Sequence, residues 1–160
     1  MGNRTILKKL LAFIVMISMI FSLAFAEKVD ENKRETTTLY VTANRLNGRA
    51  RPSKQSSVEA RFEKGDPLKA YGWDESHNWI EVIGGETATV WIWWEYVTER
   101  TDSFDVWNGY GEKVKLRKKP FGKVTGYLKN DGELLIDQVV LGWGHSSRGW
   151  IDLSYLTEED

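Results

Sequence analysis

The distribution of apolar residues divides the chain before any single motif does. Arg4, Lys8 and Lys9 precede an uncharged apolar run, residues 10–26, interrupted only by Ser18 and Ser22. The run ends on Ala24-Phe25-Ala26, a small-x-small triplet of the kind a signal peptidase accepts. At 17 residues it is shorter than the ~20 that span a bilayer. Residues 1–26 therefore predict a cleaved export signal, with a secreted or envelope-associated product and no membrane span after cleavage. An uncleaved N-terminal anchor is the alternative. Residues 27–38 are dense in charge and threonine and nearly free of apolar side chains. Such a segment buries too little surface to fold alone, so residues 27–36 read as a tether.

From Leu39 onward the pattern changes to short β-rich runs punctuated by Gly, Asn and Asp, and no apolar stripe of helical period persists for three turns. The predicted fold class is all-β. The run Trp91-Ile92-Trp93-Trp94 shows how the alternation is read. A strand turns successive side chains to opposite faces, so Ile92 and Trp94 share one face and Trp91 and Trp93 the other. Ile151 and Leu153 repeat the first set, with Trp150 and Asp152 opposite. Aliphatic residues in both copies mark the Ile side as core, which leaves Trp91 and Trp150 toward solvent or a groove.

The recurrence is not confined to that strand. Arg49-Ala50-Arg51-Pro52 matches Arg117-Lys118-Lys119-Pro120, Val58 and Gly65 find counterparts in Val124 and Gly132, and Trp91–Val97 matches Trp150–Leu156. Blocks in the same order at similar spacing indicate a duplication. The predicted organisation is a first repeat at 37–99, a short linker at 100–102 and a second repeat at 103–160. Each repeat has about 60 residues, near the lower limit for an independent domain. Docking of one on the other is therefore expected.

The segment Leu46-Asn47-Gly48-Arg49-Ala50-Arg51-Pro52-Ser53 resembles the Leu-Asn-Val-Arg-x-Gly-Pro-Ser opening of bacterial SH3 domains. The endings Trp-Ile-x-x-x-Tyr-Val/Leu resemble that family's closing motif, and Phe62–Asp66 and Trp79–Val82 resemble its central turn and strand. The resemblance implies two tandem small SH3-like β-barrels of five to six strands. Departures are visible: Gly48 and Arg51 replace the usual Val and Gly, Val90 replaces a Gly that Gly149 keeps, and no Ser follows Pro120. Trp79 and Trp91 lie 12 residues apart, Trp143 and Trp150 only seven. Either the turn between those strands is shorter in the second repeat, or Trp143 is not the counterpart of Trp79.

Composition narrows the function classes. Without the three basic residues of the signal, the remaining 134 residues carry 19 basic and 23 acidic side chains, a formal charge of −4. That balance argues against a nucleic-acid partner. The chain has no Cys, which excludes disulfides, thiol chemistry and a cysteine-borne lipid anchor. His77 and His145 each sit among turn residues, where nothing orients a catalytic base, and two lone His supply no metal site. No cofactor motif is present. A non-enzymatic chain with no cofactor is the expectation.

All eight Trp lie beyond the signal. Trp79 and Trp94 read as core filler, while Trp73, Trp91 and Trp93 are candidates for an exposed aromatic surface that stacks on sugars or extended peptides. Arg49 and Arg51 of the opening motif, Tyr96 and Tyr155 of the closing motifs, and Trp150 complete the candidate ligand set. Basic residues gather after each opening motif, most densely from Lys113 to Lys119, where five of seven are basic. The resemblance and the export signal point to a cell-wall polymer, peptidoglycan glycan or stem peptide, as partner. An extracellular protein or peptide, or homodimerisation through the same rings, is the alternative, and the oligomeric state stays open.

Overall fold

A computed structural model describes residues 34–84 and 88–158. The predicted signal and most of the predicted tether lie outside the described residues. Among the described residues, every regular element longer than a single 3-10 turn is a β-strand. The first repeat forms β1 (Thr37–Val41), β2 (Arg45–Arg49), β3 (Val58–Glu63), β4 (Pro67–Trp73), β5 (Trp79–Ile83), β6 (Thr89–Trp93) and β7 (Val97–Thr98). They pair antiparallel in the order β3-β2-β6-β5-β4-β1-β7. Alternation explains the burial: Leu39 and Val41, Leu68 and Ala70, Ile80 and Val82, Val90 and Ile92 all point to one interior.

The second repeat forms β8 (Phe104–Trp107), β9 (Val114–Arg117), β10 (Val124–Leu128), β11 (Glu133–Ile136), β12 (Gln138–Val140), β13 (Trp143–Ser146), β14 (Gly149–Asp152) and β15 (Thr157–Glu158). Their orders, β10-β9-β14-β13-β12 and β11-β8-β15, reproduce the first repeat with its β4 cut in two. In the first repeat that strand stays continuous by a bulge at Gly72, whose φ of +150° suits glycine. In the second the bend is a break at Asp137, whose N–H still donates to the His145 carbonyl at 3.0 Å.

Register settles the spacing question. Trp79 faces Trp93 across β5 and β6, and Trp143 faces Asp152 across β13 and β14. Trp143 is the counterpart of Trp79, and the turn has shrunk to Ser147-Arg148. The tight turn also explains the retained glycine. Gly149 has φ +120°, and a Cβ there would sit 2.7 Å from the Arg117 carbonyl oxygen.

The described residues from Glu35 onward form a single compact unit, and the two cores are unequal. Val106, Leu116, Leu128, Ile136 and Ile151 fill the second barrel. Trp143 and Trp150 belong instead to the cluster that holds the first repeat's core. The Trp150 indole, expected toward solvent or a groove, is turned into the junction, where its edge lines a depression with Lys118, Lys119 and Lys123. It is only 5% exposed, because Trp94 packs edge-on against it with ring centroids 5.0 Å apart. Strand β14 is buried on both faces, Ile151 by its own barrel and Trp150 by the neighbour.

Phe121 completes this junction. It stands where the first repeat has the Ser after proline, and its ring stacks on His77 at 3.9 Å, edge-on to Trp73 at 5.7 Å and tilted on Trp143 at 4.9 Å. Its φ of +56° is a conformation that costs a bulky residue about 1–3 kcal/mol, which these ring contacts offset. Polar bonds join in. The Glu99 N–H donates to the Val139 carbonyl (2.7 Å), the Gln138 amide to the Val97 carbonyl (2.7 Å), and the Lys119 ammonium to Asn78 Oδ1 (2.5 Å). The indole N–H groups of Trp73 and Trp94 have no acceptor among the described residues, so these two rings act through packing. Replacing Trp94 by Ala is expected to lower unfolding free energy by about 3–5 kcal/mol. Trp94→Phe keeps a ring and removes the unpartnered donor, so urea melts should show it losing less than half as much.

The β4–β5 turn that presents His77 and Asn78 is organised by Asp74. Burial acts to raise this carboxyl's pKa, but hydrogen bonds from the Ser76 hydroxyl and from the N–H groups of Trp79, Asn78 and Ser76 hold it below its ordinary value. A depressed folded-state pKa means stabilisation that is complete above the unfolded value of about 4 and is lost as pH falls further. Wild type is expected to exceed Asp74→Asn by roughly 1–2 kcal/mol at pH 6, with the gap closing in urea melts below pH 4. A gap independent of pH would remove the ionised carboxylate from this role.

Candidate functional site

The second repeat carries a groove of about 530 Å³ between the β8–β9 connection, β9 and the 3-10 turn Leu153–Tyr155. Its base follows from alternation along β9. Val114 and Leu116 point into the barrel, so Lys113, Lys115 and Arg117 point out and line the groove. Arg117 is fixed, its Nη1 donating to the Gly122 carbonyl at 2.7 Å and its guanidinium lying 6.0 Å from the centroid of Trp143. One wall is Tyr155. The Asp152 carboxylate holds its turn by accepting from the Ser154 N–H (3.0 Å) and hydroxyl (2.7 Å). The other wall is Tyr110, 60% exposed and edge-on to Tyr155 with centroids 5.3 Å apart. Phe121, 46% exposed, closes the junction end.

Tyr110 owes its position to Asn108, whose side chain is fully buried. Asn108 Nδ2 donates to the carbonyls of Glu112 (2.7 Å) and Lys129 (2.9 Å), and Oδ1 accepts from the Tyr110 N–H (3.1 Å). The Gly111 N–H donates to Asn130 Oδ1 at 2.9 Å. A connection this well pinned is a preformed wall. The first repeat lacks it: only residues 42–44 separate β1 from β2, against 108–113 between β8 and β9. Trp93 also occupies the position of Asp152, with the Lys54 ammonium 4.7 Å over its ring.

The residues singled out from sequence fall into separate places. Arg49, Trp91 and Glu81 are cross-strand neighbours on the outer face of the first repeat, and Trp93 lies on the same face. Arg49 Nη1 donates to the Ser56 carbonyl at 2.6 Å. Trp79 is buried as expected, but beneath this outer face, where Trp93 packs edge-on to it at 5.3 Å. Arg51 is in the loop after β2, its N–H donating to the Ser56 hydroxyl. Tyr96 is exposed on its 3-10 turn. Trp73 is half-buried in the junction, and Trp150 is buried there except for an edge on the depression that Lys118, Lys119 and Lys123 line. Tyr155 alone of the set lines the groove. Tyr110, Phe121 and Asn108 were missed; the turn-rich run Asn108-Gly109-Tyr110-Gly111 was the signal for Asn108 and Tyr110, and the absence of Ser after Pro120 the signal for Phe121.

No protein family and no curated protein matches the chain. Among solved structures it is similar to NlpC1 from Trichomonas vaginalis, with 12% identity over 81% of this chain and 48% of that one, at a TM-score of 0.37. It is similar to NlpC2 from the same organism, with 12% identity over 79% and 49% of the two chains and a TM-score of 0.35. The chain thus spans about half the length of each. A third similar structure is the endolysin LysPBC5 CBD, with 18% identity over 81% of this chain and 98% of that one, at a TM-score of 0.33.

Replacing Asn108 tests how the groove is built. Asn108→Ala leaves buried carbonyls without a donor and is expected to cost about 3 kcal/mol in urea melts. Asn108→Asp, of the same shape but without the amide donors, should cost at least as much. In both, the nuclear Overhauser contact between the Tyr110 and Tyr155 rings should vanish.

Proposed function

We propose that the chain is a non-catalytic, exported binding module that takes a cell-wall polymer, peptidoglycan glycan or stem peptide, into the groove of its second repeat. The observation that carries this reading is the pairing of exposed Tyr110 and Tyr155 above Lys113, Lys115 and Arg117. Aromatic faces stack on the apolar faces of sugars, and the cations beneath suit the carboxylates of lactyl and peptide groups. The resemblance of the opening and closing motifs to bacterial SH3 domains supports the same reading. So does the expected export signal. The groove's Asp152 is engaged in capping a turn, which fits a structural rather than a chemical role.

A second reading rests on the first repeat. Its outer face bears Trp91, Trp93 and Arg49, while the matching face of the second repeat, with Trp143 and Trp150, is itself an interface. A protein partner or a second copy on the open face would follow the same physics. Sedimentation equilibrium separates the homodimer version, since a mass independent of concentration would exclude it.

The primary test is co-sedimentation with purified peptidoglycan. Tyr110→Ala/Tyr155→Ala is expected to weaken retention at least about tenfold, on the order of 1.4 kcal/mol, and Trp91→Ala/Trp93→Ala to leave it within about twofold. Full retention by a folded tyrosine double variant would remove the groove from the account.

A further inference from the structure

Six cations crowd residues 113–123, namely Lys113, Lys115, Arg117, Lys118, Lys119 and Lys123, with no acidic residue among them. Elsewhere beyond the signal, thirteen basic residues face 23 acidic ones, so this hairpin is a local reversal of the chain's charge. The ion pairs among the described residues join Arg100 to Asp102 and Glu158, and His145 Nδ1 lies 2.6 Å from Asp137 Oδ1. None involves the hairpin. Lys113, Lys115, Lys118 and Lys123 are exposed.

Geometry divides these charges between two sides. Lys113, Lys115 and Arg117 line the aromatic groove, while Lys118, Lys119 and Lys123 line a second depression of about 620 Å³ beside Trp94 and Trp150. The turn between them is rigid. The Lys118 N–H donates to the Lys123 carbonyl (3.0 Å) and the Gly122 N–H to the Lys119 carbonyl (2.9 Å), Pro120 is buried, and Phe121 is pinned in the junction. A fixed row of cations loses little backbone freedom when it binds, and lysine ammoniums act as point charges that accept a flexible string of anions.

We propose that the β9–β10 hairpin is a binding ridge for a linear polyanion, a polymer with repeated phosphate or carboxylate groups that crosses the turn from one depression to the other. This site does not rest on the aromatic reading of the groove, because half of its cations lie outside it. The field of several unpaired lysines also attracts such a polymer before contact. Neutralising charge by releasing counterions makes binding fall with salt, by a log–log slope of roughly −3 for four engaged lysines.

The test is calorimetric titration of the full chain with inorganic polyphosphate and with poly-glutamate over a range of NaCl. Binding to either probe with a slope near −3 is the expected result, and the preferred probe names the anion. Lys118→Gln/Lys123→Gln should weaken binding at least about tenfold and flatten the slope by about half. Tyr110→Ala/Tyr155→Ala should bind within about threefold of wild type, which separates this site from the aromatic reading. No binding at low salt, an unaltered lysine double variant, or single-stranded DNA of equal charge bound tenfold more tightly than both probes would overturn the proposal.

Discussion

The packing of Trp94 on Trp150, with Phe121 wedged among His77, Trp73 and Trp143, is the interaction on which the other features depend. Two barrels of about 60 residues without disulfides each have a small interior. Burying the outer face of β14 against the first repeat gives both a larger shared apolar surface. It also fixes the β9–β10 turn, since Phe121 holds its tip in a strained backbone conformation. The groove and the basic hairpin are therefore rigid relative to the first repeat, which lowers the ordering cost of binding.

The two repeats share one strand order, and a few residue differences set them apart. The Ser that follows proline in the first repeat is Phe121 in the second, which turns a loop residue into a junction wedge. Trp93 is matched by Asp152, whose short carboxylate caps a turn and leaves space where the first repeat has an indole. The connection 42–44 is matched by the longer 108–113, raised into a wall by buried Asn108. The same outer face thus carries Arg49, Trp91 and Trp93 in one copy, and is covered beside a groove in the other.

Much of the fold was legible in the residues. Period-two alternation marked Ile92, Trp94 and Ile151 as interior, and the internal match gave the all-β repeat pattern. Alternation separates the faces of a strand, but it does not reveal what covers each one. The cover of Trp150, for example, comes from Trp94, far away in sequence and in the other repeat. Phe121 was visible only as a missing serine, and Tyr110 only as part of a turn-rich run. Their roles arise from contacts between repeats or between loops, which no local pattern encodes. The basic run, by contrast, was plain in the sequence because charge density is a local property.

That docking leaves the second repeat's groove open for a wall polymer is our proposal. It is tested most directly by following backbone amide and Trp indole resonances while soluble peptidoglycan fragments are added. The account expects shifts concentrated at Tyr110, Lys113, Lys115 and Tyr155, with the Trp91 and Trp93 indoles unmoved. Shifts centred on Trp91 and Trp93, with the groove silent, would contradict it.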